Sequence, residues 1–365
     1  MSSTNVNKTE VLKFSIVDRA DIQIPEWNEN LNTPNWVSWG VDNKFPEFIN
    51  RLYNESATLR SVIDGTAEFV AGNGVSVKDA PRWEKEVNRN GMDISDLVLA
   101  LSTDMLKFNM FAVQIVYNRM GVPVEFFPLD MGRVRLSADG SKVYYSTKAW
   151  GQYSQKGYTV YDRWNPEKID PENLTQVYVW KAPSTRTVYS CPFWQGCFRD
   201  SMAEICSSRY TLNSLANGLA VKSVINLPNT TGALTEDDKQ KVMESIRDNF
   251  TGPDATSSFL LYWQEEGEDP LKIDSIQVQD ESDKFEKIQN SARSKIFTAF
   301  RATPNLFGLP NESKGFSKEE FLEAFSLYNK TMCAPRQKQI ERVLGKLMNA
   351  KVTILPFNLD DEKQD

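Results

Sequence analysis

Along this chain, apolar positions recur at spacings of three and four through several long stretches and shift to alternation or short runs elsewhere. The clearest helical stripe lies in ESDKFEKIQNSARSKIFTAFRA, where Phe285, Ile288, Ala292, Ile296 and Ala299 share one face. That helix must stop near Thr303. Pro304 disfavours helical backbone in the residue before it, and TPNLFGLPNESKGF holds two prolines and two glycines in fourteen residues. A new helix is expected from Ser317, where Ser317 and Glu320 form an S-x-x-E capping box ahead of Phe321, Leu322, Phe325 and Tyr328. Pro335 interrupts it near CAPRQ, QKQIERVLGKLMNA resumes the period, and KVTILPF reads as a closing strand.

The first half follows a different order. Helices are expected over Phe45 to about Asn54 and over Ala57 to Val70, the second ending at Gly72-Asn73-Gly74, and a third over Ser95 to Phe108. The period then falls to two. MFAVQIVYNRMGVPVEFFPLD turns at Asn118 to Gly121, RVRLSADGSKVYYS turns at Asp139-Gly140, and strands continue at Gly157 to Arg163 and Gln176 to Lys181. The expectation is an α+β body with helices followed by an antiparallel meander.

A long helix is expected from about Phe193 to Ala220, with Phe198, Met202, Ile205, Leu212, Leu215 and Leu219 as its stripe. It would span about 40 Å. A helix of that length with a thin apolar seam usually lies beside another long helix. Between the two long helices, Ser223 to Asp280 reads strand, helix, strand, strand. Residues before about Gly40 read as an arm rich in Asn, Pro and Trp. Trp27, Trp36 and Trp39 either anchor that arm on the parent domain or meet a neighbouring subunit.

Composition changes this picture by exclusion. The chain has 365 residues and no histidine, which removes Ser-His-Asp and Cys-His nucleophile systems and His-ligated metals. Four cysteines contain no CxxC pair, so neither a zinc site nor a disulfide framework is indicated. No apolar run approaches the length of a spanning helix, and Met1 to Thr9 is polar, so the chain reads as soluble and intracellular. The net charge of −7 argues against a simple phosphate-clamping surface. Ser223 to Asp280 alone carries twelve acidic and four basic residues, a local −8. A favourable helix macrodipole accounts for Glu236, Asp237 and Asp238 and leaves the other nine unexplained. Gly72-Asn73-Gly74 lacks the context of a nucleotide fingerprint, and no GxxxxGK[ST] occurs. Asp237-Asp238, Glu265-Glu266 and Asp360-Asp361 fit solvated surface better than a metal site, so neither metal nor cofactor is expected.

The strings LANGLAVKSVINLPNTTGALTEDDKQKVMESIRDNFTGPDATSSFLLYW, ESDKFEKIQNSARSKIFTAFRATPNLFGLP and SKEEFLEAFSLYNKTMCAPRQKQIERVLGKLM resemble the portal (head-to-tail connector) proteins of tailed bacteriophages. The resemblance covers roughly Trp36 to Met348. Its most specific part is the second long helix running into F-x-x-P-x-L-x-G, here Phe300 to Gly308. It implies a portal-like α+β fold: an arm (1–40), an α/β wing (41–192), a stem helix (193–222), a small α/β clip (223–280), a second stem helix (281–302), a tunnel loop (303–317), and a kinked wing helix with a short crown (318–365). It further implies a non-enzymatic, homo-oligomeric ring, a dodecamer, at one capsid vertex of the virion, assembled in the host cytoplasm. Double-stranded DNA would enter and leave through it, and terminase, major capsid protein and head-tail adaptor would dock on it, with no membrane involved.

Under that resemblance the tunnel-loop residues are Asn311, Glu312, Ser313, Lys314 and Gly315, with Asn311 and Lys314 closest to DNA. Off the apolar stripe of the second stem helix, Lys284, Lys287, Ser291, Ser294, Thr298 and Arg301 face the bore or a neighbour. The clip contributes Glu265, Glu266, Glu268 and Asp269 as acidic residues that repel the duplex. Two other classes compete. A non-catalytic DNA-binding or membrane-surface assembly factor predicts tight, salt-steep duplex binding, and an enzyme needs a pocket of converging carboxylates.

Overall fold

The computed structural model describes residues 23–27, 29, 31, 35–151, 157–184, 186, 188–217, 221–228, 258–264, 282–308 and 318–357. They divide into a larger unit, Ile24–Met202 with Ser291–Asp365, and a smaller one that includes Ala203–Asn290.

In the larger unit, α1 (Phe45–Glu55) opens with Pro46 in its first turn, where the missing N–H costs nothing. Ser56 then caps α2 (Ala57–Ala71), its hydroxyl accepting from the Leu59 N–H at 3.2 Å. Gly72 ends α2 at φ +69, and a Cβ there would lie 2.1 Å from the Leu355 carbonyl oxygen, so only glycine fits. Asp93 caps α3 (Ile94–Phe108) by accepting from the Asp96 N–H at 2.8 Å. Leu97, Val98, Leu101 and Met105 form the buried face of α3.

The strands expected by alternation are present: β2 (Met110–Tyr117), β3 (Pro123–Leu129), β4 (Val134–Leu136), β5 (Lys142–Ser146), β6 (Tyr158–Arg163) and β7 (Thr175–Lys181). Their order corrects the meander. The sheet runs β3-β2-β7-β6-β5-β4, and β7 lies antiparallel to β2 but parallel to β6. Gln176 explains how the connection is held. Buried at the start of β7, its side chain accepts from the Asn165 N–H at 3.0 Å and donates to the Asn165 and Lys168 carbonyls at 3.3 and 2.7 Å. The 164–174 crossover is thereby folded back so that β7 re-enters between the β2–β3 hairpin and the β4–β6 meander. A separate two-stranded sheet pairs β1 (Val75–Val77) antiparallel with β10 (Val352–Ile354), the latter being the expected closing strand.

The tryptophans of residues 36–39 belong to the parent domain. Trp39 is fully buried and stacks on Tyr189 with centroids 4.4 Å apart, while Trp36 packs edge-on against Trp150 at 4.9 Å. Trp27 packs edge-on against Phe45 at 4.9 Å, with the Arg186 guanidinium 3.9 Å over its ring. Glu29 accepts from the Val188 and Tyr189 N–H groups, and the Tyr189 hydroxyl donates to the Val37 carbonyl at 2.6 Å.

Arg135 is fully buried against Trp39 and Trp150. Its guanidinium donates to the Asn43 side-chain oxygen (2.6 Å) and to the carbonyls of Asn43 (2.8 Å), Gly132 (3.0 Å) and Val134 (2.8 Å). Burial lowers its pKa to about 10.

The first long helix, α4, covers Phe198–Asn217 and starts later than Phe193. Residues 195–197 form a 3-10 turn, and Trp194 is buried ahead of it with its indole N–H on the Leu106 carbonyl at 2.8 Å. Twenty residues correspond to about 30 Å. The second long helix, α5, covers Ser282–Phe300. In the smaller unit, β8 (Val221–Pro228) and β9 (Ser258–Gln264) pair in parallel. The helix and last strand expected within 229–280 lie outside the described residues.

Candidate functional site

The candidate site is the exposed face of α5 and the turn that ends it. Ala292, Ile296 and Phe300 are buried at four-residue spacing. Lys287, Ser291, Ser294, Thr298 and Arg301 are exposed and recur at spacings of four, three, four and three, the opposite side of the same helix. The sequence-derived set is thus placed on one stripe, apart from Lys284, whose side chain lies outside the description. Thr298 is half committed, since its hydroxyl donates to the Ser294 carbonyl at 2.8 Å. Beside the stripe, Lys295 pairs with Asp200 of α4 at 2.9 Å, an exposed pair that contributes little to stability. The tunnel-loop residues Asn311, Glu312, Ser313, Lys314 and Gly315 lie outside the described residues, as do the clip residues Glu265, Glu266, Glu268 and Asp269.

The apolar stripe differs from the expected one at its ends. Phe297 is buried where Ala299 was expected to lead, and Ile288 remains 44% exposed. Leu212 of α4 is 67% exposed although it continues the line of Phe198, Met202 and Ile205. Within the smaller unit, Tyr210 and Phe285 stack with ring centroids 4.2 Å apart, and Leu212 and Ile288 belong to the same unit.

The end of α5 shows why F-x-x-P-x-L-x-G is built as it is. Arg301 adopts a left-handed backbone at φ +55. The Ala302 N–H reaches the Phe297 carbonyl at 2.9 Å and the Arg301 N–H reaches the Thr298 carbonyl at 3.0 Å, a complete Schellman closure. Pro304 then opens a 3-10 turn over residues 304–307, and Gly308 leaves it at φ +80. Phe300 is buried against Phe193 (5.1 Å) and Trp194 (6.2 Å), and Leu306 is buried in the turn. Phe307 meets Phe69, Phe297 and Tyr328 at 5.9 to 6.1 Å, over Gly65, where a Cβ would come within 2.9 Å of its ring. The turn is therefore a rigid exit from the helix.

Beyond residues 309–317, α6 (Lys318–Tyr328) passes through a π-helical turn at Asn329–Cys333 into α7 (Ala334–Met348). Pro335 is the sequence signal for that turn. The Ala334 N–H reaches back to the Asn329 carbonyl, and the wider turn accommodates a residue that cannot donate. The Tyr328 hydroxyl bonds Thr66 at 2.6 Å, and burial raises its pKa. Arg336 donates to the Met332 carbonyl at 2.8 Å and lies 4.7 Å over the Phe193 ring, and burial lowers its pKa. Arg135, Gln176 and Gln337 are buried polar residues that no periodicity singles out.

A cleft of about 510 Å³ mixes Glu47, Glu55 and Asp130 with Arg51 and Arg133. There Asp130 lies 4.0 Å from the Arg133 guanidinium. Among the described residues, no group of three or more His, Cys, Asp or Glu could hold a metal ion. No described helix is long and apolar enough to cross a membrane.

Two long helices in sequence around a small β-unit, the second ending in a locked aromatic turn, define an α+β protein whose most developed feature is a polar helix face. The phage portal protein family matches residues 77–362, and the chain belongs to that family. No curated protein sequence matches the chain. Among solved structures, it resembles a chain of the virion of a native gene transfer agent particle with a TM-score of 0.56 and 18% identity, over 92% of this chain and 87% of that one. A chain from the neck of an empty gene transfer agent particle, computed with C6 symmetry, gives 0.55 and 18%, over 87% and 85%. An HK97 family phage portal protein from Corynebacterium diphtheriae gives 0.48 and 10%, over 87% and 98%.

Proposed function

We propose that this chain is the subunit of a portal ring, a dodecamer at one capsid vertex, through which double-stranded DNA is packaged and ejected. The observation that carries the reading is the family match over residues 77–362, which spans both long helices and the turn after α5. The fold shared with a chain of a particle neck computed with symmetry supports assembly of identical copies. Head-to-tail contacts between such copies close a ring.

In this reading α4 and α5 are the stem helices, residues 223–280 the clip, residues 303–317 the tunnel loop, and the remaining α+β body the wing. Lys287, Ser291, Ser294, Thr298 and Arg301 face the bore. Small hydroxyls with a cation at each end suit a wall along which a polyanion slides. The acidic clip, with Glu265, Glu266, Glu268 and Asp269, keeps the duplex near the axis, because each neutralised phosphate would add salt-sensitive affinity. The role is structural: the ring positions DNA and presents faces to the terminase, major capsid protein and head-tail adaptor.

Native mass spectrometry and negative-stain imaging of the purified protein test this directly. Rings are expected, and monomers or dimers at every salt concentration would overturn the reading. Deleting Asn311 to Gly315 is expected to leave assembly intact and reduce the genome packaged or retained. Loss of assembly on that deletion would remove the loop from the bore.

A further inference from the structure

We infer that the groove formed by Trp27, Phe45 and Phe198 receives an arm from a neighbouring copy, and that residues 11–21 of that copy fill it. The inference rests on the ring reading and names one contact that joins its subunits.

The groove is aromatic and cationic. Phe45 of α1 and Phe198 of α4 are buried with ring centroids 6.2 Å apart, and Trp27 stands edge-on to Phe45 at 4.9 Å. With the exposed Ile24 they line a hollow of about 310 Å³. Arg186 and Arg199 line it too. The Arg186 guanidinium lies 3.9 Å over the Trp27 ring, and Arg199 is exposed next to Phe198. No carboxylate lines the hollow, and among the described residues neither guanidinium forms an ion pair. Aromatic walls beside two unpaired forks fit an apolar segment that carries carboxylates.

The chain contains such a segment. VLKFSIVDRAD, residues 11–21, places five apolar residues within Val11 to Val17 and follows them with Asp18 and Asp21. Each large apolar side chain covered contributes about 1.5–3 kcal/mol. Lys13 and Arg19 bring the net charge of the segment to zero, so the apolar run carries the affinity and the two acids set the register.

The place where this segment leaves its own copy selects a neighbour as the host. Ile24 and Pro25 belong to the groove wall. Pro25 disfavours helical backbone at Ile24, and Gln23 and Ile24 are exposed, so the chain runs outward from its own groove instead of doubling back into it. Residues 1–22 extend to at most about 75 Å, against a radius of gyration of about 21 Å for a compact chain of this length. In a head-to-tail ring every copy offers the same arm to one neighbour and the same groove to the other.

The test uses the full-length protein with Phe14 replaced by the photo-crosslinker p-benzoylphenylalanine, irradiated as purified rings. A ladder of covalent dimers and higher multimers is expected on a denaturing gel, with crosslinks mapped by mass spectrometry to the walls around Trp27, Phe45 and Phe198. The same protein carrying R186E and R199E should show a severalfold weaker ladder. R199E alone, a change at an exposed position, should weaken it while leaving the circular dichroism spectrum unchanged. Removing residues 358–365, the acidic segment at the other end of the chain, should leave the ladder as it is. Crosslinks confined to one chain, crosslinks that map away from the groove, or a ladder that R186E/R199E does not weaken would each overturn the inference and leave the ring reading intact. Loss of the ladder on removal of residues 358–365 would assign the groove to that segment and overturn it too. Wild-type protein that never closes a ring sinks the ring reading and removes the neighbour with it, a result that native mass spectrometry separates from the others.

Discussion

Arg135 is a cation buried without a carboxylate among its hydrogen-bond partners, and four acceptors depend on it: the Asn43 side chain and the carbonyls of Asn43, Gly132 and Val134. Arg135→Met roughly keeps the volume, strands the three carbonyls and leaves the Asn43 side-chain oxygen with the Trp39 N–H alone at 3.0 Å. A loss of about 3 kcal/mol is expected, since each buried acceptor left unpaired costs about 1–3 kcal/mol and removal of the buried charge offsets part of it. Chemical denaturation measures it, and Arg135→Lys should recover little, because an ammonium cannot reach the same four oxygens. Asp104 makes a pH-dependent prediction. Its carboxylate accepts from the Met131 N–H at 2.8 Å, and burial, with Asp130 adding to it and Lys107 opposing, raises its pKa to about 7. Between about pH 4, where an unfolded Asp titrates, and pH 7, the folded chain holds a proton that the unfolded chain has lost, so this group's contribution to stability falls as pH rises. Asp104→Asn can still accept from Met131 and should flatten the decline across that window in pH-dependent unfolding. Neither residue was legible in the sequence. Arg135 sits in the strand pattern RVRLS and Asp104 on an amphipathic helix, and periodicity ranks faces without saying which polar residue is carried inward.

Elements were legible where their boundaries are chemical. The Gly72 turn and Pro304 each mark a terminus that the structure places within a few residues of expectation, while the caps Pro46, Ser56 and Asp93 emerge only from the structure. Strand partners were not legible, because alternation reports which residues face a core and not which strand lies alongside. The parallel entry of β7 depends on Gln176 and its loop partners, a contact between sequence neighbours that has no period. The start of α4 was misplaced because Phe193 and Trp194 are apolar in a turn as they would be in a helix. Pro335 interrupts the helical pattern in the sequence, and in the structure it follows one wide turn inside a continuing helix. That turn fixes which face of α7 is buried. Deleting Thr331 removes the extra residue and rotates Ile340, Val343, Leu344 and Leu347 by about 100° away from their contacts. Loss of cooperative unfolding by circular dichroism is expected, whereas Pro335→Ala, which keeps the residue count, should be mild. In the smaller unit, Leu212 and Ile288 leave apolar surface uncovered. If the proposed neighbour covers it, the double variant Leu212→Gln/Ile288→Gln should abolish rings in native mass spectrometry and leave the subunit's thermal midpoint nearly unchanged.

At the scale of the whole chain, the larger unit is assembled from segments far apart in sequence, and its longest closure is the pairing of residues 75–77 with 352–354. Nothing in VSV or VTI names the other as partner; the register is set by what surrounds the pair. The Asn73 N–H reaches the Leu355 carbonyl at 2.9 Å, the Leu355 N–H reaches the Gly74 carbonyl at 2.9 Å, and the Ile354 N–H reaches the Glu341 side chain at 2.8 Å. Val352 and Ile354 are buried, and Phe357 covers Phe69 at 5.7 Å and Phe325 at 6.3 Å. Phe69 also meets Phe307, so the closing strand lies one side chain from the turn that ends α5. Ending the chain at Lys351 removes two buried aliphatic side chains worth about 1.5–3 kcal/mol each, less the conformational entropy regained by the freed residues. A chain ending at Leu355 keeps the strand and, among the described residues, loses Pro356 and the Phe357 cover. Denaturant midpoints should therefore fall strongly for the first and slightly for the second. Because Phe69, Phe307 and Tyr328 connect the strand to the exit of α5, the first truncation should also lower ring yield, whereas equal midpoints for the two would show that β10 is an accessory to the unit and not part of its closure.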